Sequence, residues 1–128
     1  MSTKRIRASG FTLIELLVTM AMIALLLSLA APRYFTSVDK AQEATLRENL
    51  RQIREAIDKH LGDTGRYPET LDDLVAKGYL RRTPIDPLTD SDKTWIIVPP
   101  KDSGRGSLYD LRSGAPGRAR DGSAYGSW

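Results

Sequence analysis

The chain has 128 residues, 41% of them hydrophobic and 27% charged, with no cysteine and a formal charge of +3. That length holds one domain at most, and the lack of cysteine excludes a disulfide framework and thiolate zinc sites. The basic excess rests on Lys4, Arg5 and Arg7; without them the basic side chains only match the 16 acidic ones, which removes the electrostatic footprint of a nucleic-acid binder.

In chain order, residues 1–10 form a short basic leader. The run Phe11 to Ala31 then gives 21 residues with one charge, Glu15. As a helix this run is about 31 Å long at roughly 1.5 Å per residue, enough to cross a hydrocarbon core of about 30 Å. The basic flank on its amino side predicts a cytoplasmic N-terminus, with the rest of the chain outside. Beyond Pro32 the pattern becomes one-sided: Val38, Ala41, Leu46, Leu50, Ile53, Ile57 and Leu61 recur mostly at helical spacing. Glu43 with Arg47, Arg51 with Glu55, Arg54 with Asp58 and Glu55 with Lys59 are opposite charges one turn apart, each predicted to add about 0.2–0.5 kcal/mol on an exposed face. Together these segments read as one helix from Phe11 to Leu61, bent near Pro32 and stopped at Gly62.

Thr70 to Ala76 reads as a short helix, with Thr70 and Asp73 in capping-box spacing and Gly78 placed to end it. Trp95 to Val98 and Leu108 to Leu111 read as a small antiparallel pair. The glycine-rich tail reads as an ordered loop ending in the aromatic pair Tyr125 and Trp128. Residues 62–128 are too few and too polar to close a core alone, so they must wrap on the apolar stripe of the long helix. The expected fold is α+β: a long N-terminal helix packed on a small antiparallel sheet and a short helix, without a disulfide. Its expected parts are the leader 1–10, a membrane helix 11–31, an amphipathic continuation 32–61 and a small outer layer 62–128.

Catalysis has little to stand on, and the protein is not expected to be an enzyme. His60 is the single histidine and reads as a solvated residue on the charged helix face. Asp86, Asp90 and Asp92 read as turn residues. Arg112, Arg118 and Arg120 read as solvated or as contacts to acidic groups of neighbouring copies, rather than as nucleic-acid binders. Glu15 is different, because an acidic side chain in an apolar span costs about 2.5–3.5 kcal/mol at the helix centre, somewhat less near the interface, and is retained for a partner.

Gly10-Phe11-Thr12-Leu13-Ile14-Glu15, preceded by the basic leader and followed by an apolar run and Pro32, resembles the cleavage and methylation motif of the type IV pilin and pseudopilin superfamily. The resemblance implies that prepilin peptidase cuts between Gly10 and Phe11 and that the new Phe11 amine is N-methylated. It further implies that Glu15 pairs with that amine on a neighbouring subunit, where each charge neutralises the other in an apolar bundle. Many members carry a glycine where this chain has Ala24, and alanine is about 0.8–1.0 kcal/mol the better helix former, so any unwinding here depends more on Pro32. Patches including Tyr67-Pro68, Pro84-Ile85-Asp86-Pro87 and Tyr109-Asp110-Leu111-Arg112 resemble the major pseudopilin of type II secretion systems.

That likeness implies a structural subunit of the inner membrane that polymerises into a periplasmic filament. Its implied partners are identical subunits, minor pseudopilins, prepilin peptidase and an inner-membrane assembly platform. It also implies calcium in the C-terminal loop, where Asp121 is the single acid and the family usually has two; calcium takes six to eight oxygens, typically with more than one carboxylate. Two other readings compete. One is a type IV pilus subunit; the other is an exported soluble binding protein whose signal peptide is cut after Ser28-Leu29-Ala30.

Overall fold

A computed structural model of the chain describes residues 3–4 and 9–128; Arg5 and Arg7 of the leader lie outside the described residues. The architecture is the expected α+β one: a long helix α1 (Leu13–Thr64), a short helix α2 (Leu71–Ala76), and strands β1 (Ile96–Val98) and β2 (Asp110–Arg112). Two single-turn 3₁₀ helices, Ser103–Arg105 and Tyr125–Ser127, complete it. The chain divides into two compact units, Met1–Val38 and Asp39–Trp128.

In the first unit the apolar side chains of α1 face outward: Leu26 and Leu27 are 65% and 61% exposed, and no residue of the most apolar stretch is buried inside the protein. The few polar groups are folded back on the helix. Thr19 donates to the Glu15 carbonyl at 2.8 Å, Ser28 to Ala24 at 2.8 Å and Thr36 to Pro32 at 2.9 Å. Each hydroxyl thereby meets an acceptor without water, as an apolar solvent requires. An apolar helix of this length fits a single-pass membrane anchor. α1 remains helical through Pro32.

In the second unit Leu46, Leu50, Ile53 and Ile57 of α1 are buried at 2% exposure or less, with Leu74, Trp95, Leu108 and Leu111 packed among them. Burying each such aliphatic side chain stabilises the fold by about 1.5–3 kcal/mol. The stripe is narrower than its sequence pattern: Val38 and Ala41 are exposed and Leu61 half-buried, while Ala56 and His60 join the buried set. α1 also runs past Gly62. The glycine with positive φ is Gly65 (+72°), whose N–H bonds the Leu61 carbonyl at 2.8 Å, while the Thr64 hydroxyl donates to the His60 carbonyl at 2.8 Å. A left-handed residue ends a helix cheaply only at glycine, and the chain uses the second of the two on offer.

α2 begins with the predicted capping box: Asp73 N–H donates to the Thr70 hydroxyl and Thr70 N–H to the Asp73 carboxylate, both at 3.2 Å. The sheet pairs Ile96 with Arg112, Ile97 with Leu111 and Val98 with Asp110 in antiparallel register. Its strands are shifted from the predicted spans because Trp95 and Leu108 serve as core plugs beside the ladder. Between the strands Gly106 has φ of +108°, and a Cβ there would collide with the Tyr67 carbonyl oxygen. Tyr67 N–H in turn donates to the Arg105 carbonyl at 2.6 Å, so the loop is seated against the backbone after α1. Gly106→Ala is expected to lower stability by about 1–3 kcal/mol from the backbone conformation alone, before the collision is counted. Urea denaturation of the full chain in detergent measures it.

Candidate functional site

The N-terminal motif is exposed throughout. Gly10 has open space where a side chain would stand, and Phe11 is 87% exposed. Among the described residues nothing crowds a side chain at position 10. Thr12 caps α1: its carbonyl accepts from Leu16 N–H at 3.1 Å and its hydroxyl from Glu15 N–H at 3.2 Å. The Glu15 carboxylate reaches back to Thr12 N–H at 3.4 Å, completing the reciprocal pair of a capping box. The Thr-x-x-Glu spacing of Thr12 and Glu15 is the sequence signature of this local role. A carboxylate in the first turn also complements the helix dipole.

Asp121 sits in the tail hairpin, where an isolated bridge joins Arg118 and Ala124. One of its oxygens accepts from Ser123 N–H at 2.9 Å and from the Ser123 hydroxyl at 2.6 Å; the other faces Arg47 at 3.7 Å. The Ser123 hydroxyl first, then the Ser123 N–H, hold the Asp121 carboxyl below its ordinary value, with Arg47 adding to the effect. No cluster of three or more His, Cys, Asp or Glu side chains suited to a metal is present among the described residues. The donor set does not fit calcium: one carboxylate, already engaged, stands where several free oxygens are needed.

The tail is instead tied to one face of α1. Arg120 donates to Glu43 through its backbone N–H at 3.0 Å and its Nε at 3.3 Å, and the Tyr125 hydroxyl donates to Glu43 at 3.3 Å. Arg47 lies 4.2 Å over the Trp128 ring, and Arg54 donates to the Trp128 carbonyl at 2.6 Å and to Asp110 at 2.8 Å. The expected helix pairs Glu43 with Arg47 and Arg54 with Asp58 are thus not made: Glu43 and Arg54 take several tertiary hydrogen bonds, and Arg47 an ion pair and a ring contact. Arg51 does pair with Glu55, and with Glu48 as well. Glu55 with Lys59 is not among the ion pairs of the described residues.

His60 is not solvated. It is 2% exposed, bonds the Arg66 carbonyl through Nδ1 at 2.8 Å and stands edge-on to Tyr79 with ring centres 5.4 Å apart. A carbonyl only accepts, so Nδ1 carries the proton and Nε2 is free to accept from Lys77 at 3.3 Å. The stripe Leu46, Leu50, Ile53, Ile57 continues to position 60 at the same spacing, which was the available signal. Asp86 is likewise more than a turn residue: it is fully buried and accepts from Leu88 N–H at 2.9 Å and from the Ser113 hydroxyl. It ties the turn before β1 to the segment after β2. Asp90, with φ of +52°, is a turn residue as expected.

An exposed, capped apolar helix behind a Gly-Phe junction, with a small α+β layer on its outer half, defines a pilin-like membrane-anchored subunit. Residues 5–31 match the family described as "Prokaryotic N-terminal methylation motif". Over nearly the whole chain the protein is similar to type II secretion system core protein G of Pseudomonas aeruginosa, 28% identical over 98% of each chain. The same protein of Pectobacterium carotovorum is 30% identical, over 95% of this chain and 85% of its own. That of Escherichia coli K12 is 29% identical, over 84% and 81%. The chain belongs to the type II secretion system core protein G family. No solved structure matches it significantly.

Glu43 is only 12% exposed, and the Arg120 backbone N–H, with further donation from the Arg120 and Tyr125 side chains, keeps its carboxyl below its ordinary value of 4.5. A lowered folded pKa contributes stability that is present above 4.5 and lost as pH falls through the folded value. Acid titration of thermal stability should therefore show wild type losing its advantage over Glu43→Gln below pH 4.5, with the two converging at the acid end.

Proposed function

We propose that the protein is a structural subunit, a pseudopilin, of a type II secretion system, held in the inner membrane by α1 with its outer layer in the periplasm. Subunits leave the bilayer through an inner-membrane platform and stack into a periplasmic filament that helps move folded proteins across the outer membrane. Its partners are copies of itself, minor pseudopilins and the prepilin peptidase, and its work is mechanical rather than catalytic. The observation that carries this reading is full-length similarity to core protein G together with an apolar helix face that the chain itself leaves uncovered.

In this reading residues 1–10 are the leader, cut between Gly10 and Phe11, and Phe11 receives the methyl group. An uncrowded glycine at position 10 supports a role in recognition by another protein rather than in folding. The helix divides in use: 11–31 spans the membrane and bundles in the filament, 32–61 carries the outer layer 62–128, and Pro32 is the pliant point, since it removes one helical hydrogen bond. Glu15 holds the cap of its own helix in the free subunit and meets the Phe11 amine of a neighbour in the filament. Two charges in an apolar bundle are tolerable when each neutralises the other.

Glu15→Gln separates the two roles, because glutamine also completes a capping box but carries no charge. Glu15→Gln and Glu15→Ala are both expected to abolish filaments in a shearing assay while the leader is still cut. Wild-type filament yield from Glu15→Gln would overturn the pairing. Gly10 replaced by a bulky residue is expected to leave the leader on, read as intact mass. Mass spectrometry of the wild-type product should give methylated Phe11 at the N-terminus; Ala31 there would identify an ordinary signal peptide instead.

A further inference from the structure

We propose that the C-terminal loop is locked by guanidinium and aromatic contacts to α1, with Glu43 as the keystone, and that the folded chain takes no calcium at this place. The inference concerns the fold of residues 39–128 and stands whether or not the chain works in secretion.

The oxygens a divalent cation would need are already committed. In the tail hairpin the Ala119 carbonyl accepts from Gly122 N–H at 3.0 Å and the Ser123 carbonyl from Ala119 N–H at 2.7 Å. The Gly122 carbonyl accepts from Arg118 at 2.8 Å, and the Ala124 carbonyl from Ser127 N–H at 2.9 Å and the Ser127 hydroxyl at 2.6 Å. The charge is wrong as well. Arg47, Arg118 and Arg120 surround the hairpin against Glu43 and Asp121, so its side chains are cationic on balance. Calcium sites gain affinity from carboxylate charge, and here a guanidinium already faces each carboxylate.

The arginines supply what a cation would: they bind carboxylates and carbonyls that are distant in sequence. Glu43, Arg47 and Arg54 lie one and two turns apart on a single face of α1, and each holds a different part of the tail. Glu43 takes Arg120 and Tyr125, Arg47 takes Asp121 and the Trp128 ring, and Arg54 takes the Trp128 carbonyl. Trp128 is pinned from within by its Nε1–H to the Ser123 hydroxyl at 2.7 Å and by Tyr125, ring centres 5.3 Å apart. Glu43 is the keystone because, of the three α1 residues, it is the one that accepts from both the backbone and the side chains of the tail.

The test uses the full chain in detergent micelles, with thermal unfolding followed by circular dichroism in excess EGTA and in millimolar calcium chloride. Terbium titration provides a second readout, since Trp128 would sensitise an ion bound at Asp121. The lock predicts the same Tm in both buffers, no saturable terbium emission, and an equal rate of tryptic cleavage after Arg118 and Arg120. It also predicts that Glu43→Gln lowers Tm equally in both buffers and red-shifts Trp128 emission. A calcium-dependent rise in Tm, or saturable terbium emission lost in Asp121→Ala, overturns the proposal. Should Glu43→Gln not fold, Asp121→Ala still decides, because only a calcium site makes its Tm insensitive to calcium where the wild type is sensitive.

Discussion

Residues 65–128 are short, polar and irregular, and they are ordered because Leu46, Leu50, Ile53 and Ile57 give them an apolar surface to close on. Two three-residue strands and one six-residue helix could not bury a core between them. The stripe on α1 supplies one wall and Leu74, Trp95, Leu108 and Leu111 the other. Polar contacts then fix which loop lies where. Asp86 joins two loops through Leu88 and Ser113, His60 anchors the turn after α1 through Arg66, and Trp95 Nε1–H donates to the Pro84 carbonyl at 2.9 Å. No buried side-chain nitrogen or oxygen is left without a partner among the described residues. Such satisfied groups specify a register without the penalty of an orphaned one.

The same helix meets two solvents. Before Pro32 its side chains are apolar all round and uncovered; from Leu46 onward only one face is apolar and it is covered. The division explains how a chain with so small a core leaves its larger apolar surface uncovered by its own side chains. In the single chain the Glu15 carboxylate closes the Thr12 cap, so the one charge of the apolar stretch also fixes where the helix starts.

The candidate site and the local caps were marked by spacing alone. Gly10, Phe11, Glu15 and Pro32 were marked by their position relative to an apolar run, and the Thr70 cap by a residue type at a fixed offset. The α2 cap, the antiparallel pair and the single long helix follow from patterns that act within a few residues. His60, Asp86 and the arginines were misread for a common reason. Their partners, Arg66 and Lys77, Ser113, Asp110, Asp121 and Glu43, are brought in by the packing of the outer layer, and a polar residue on a helix reads as solvated until that layer is in place.

The sequence by itself determined the apolar span, the helix and its amphipathic outer half, because hydropathy and period are properties of adjacent residues. It also determined that no disulfide holds the tail. Only the tertiary structure decided how the tail is held. Glu43 and Arg47 sit one turn apart and look like partners, yet Arg120 reaches Glu43 with both backbone and side chain, while Arg47 turns to Asp121 and Trp128. Several hydrogen bonds in a half-buried setting outweigh one exposed ion pair along a helix, and that comparison exists only once the tail has folded back onto α1.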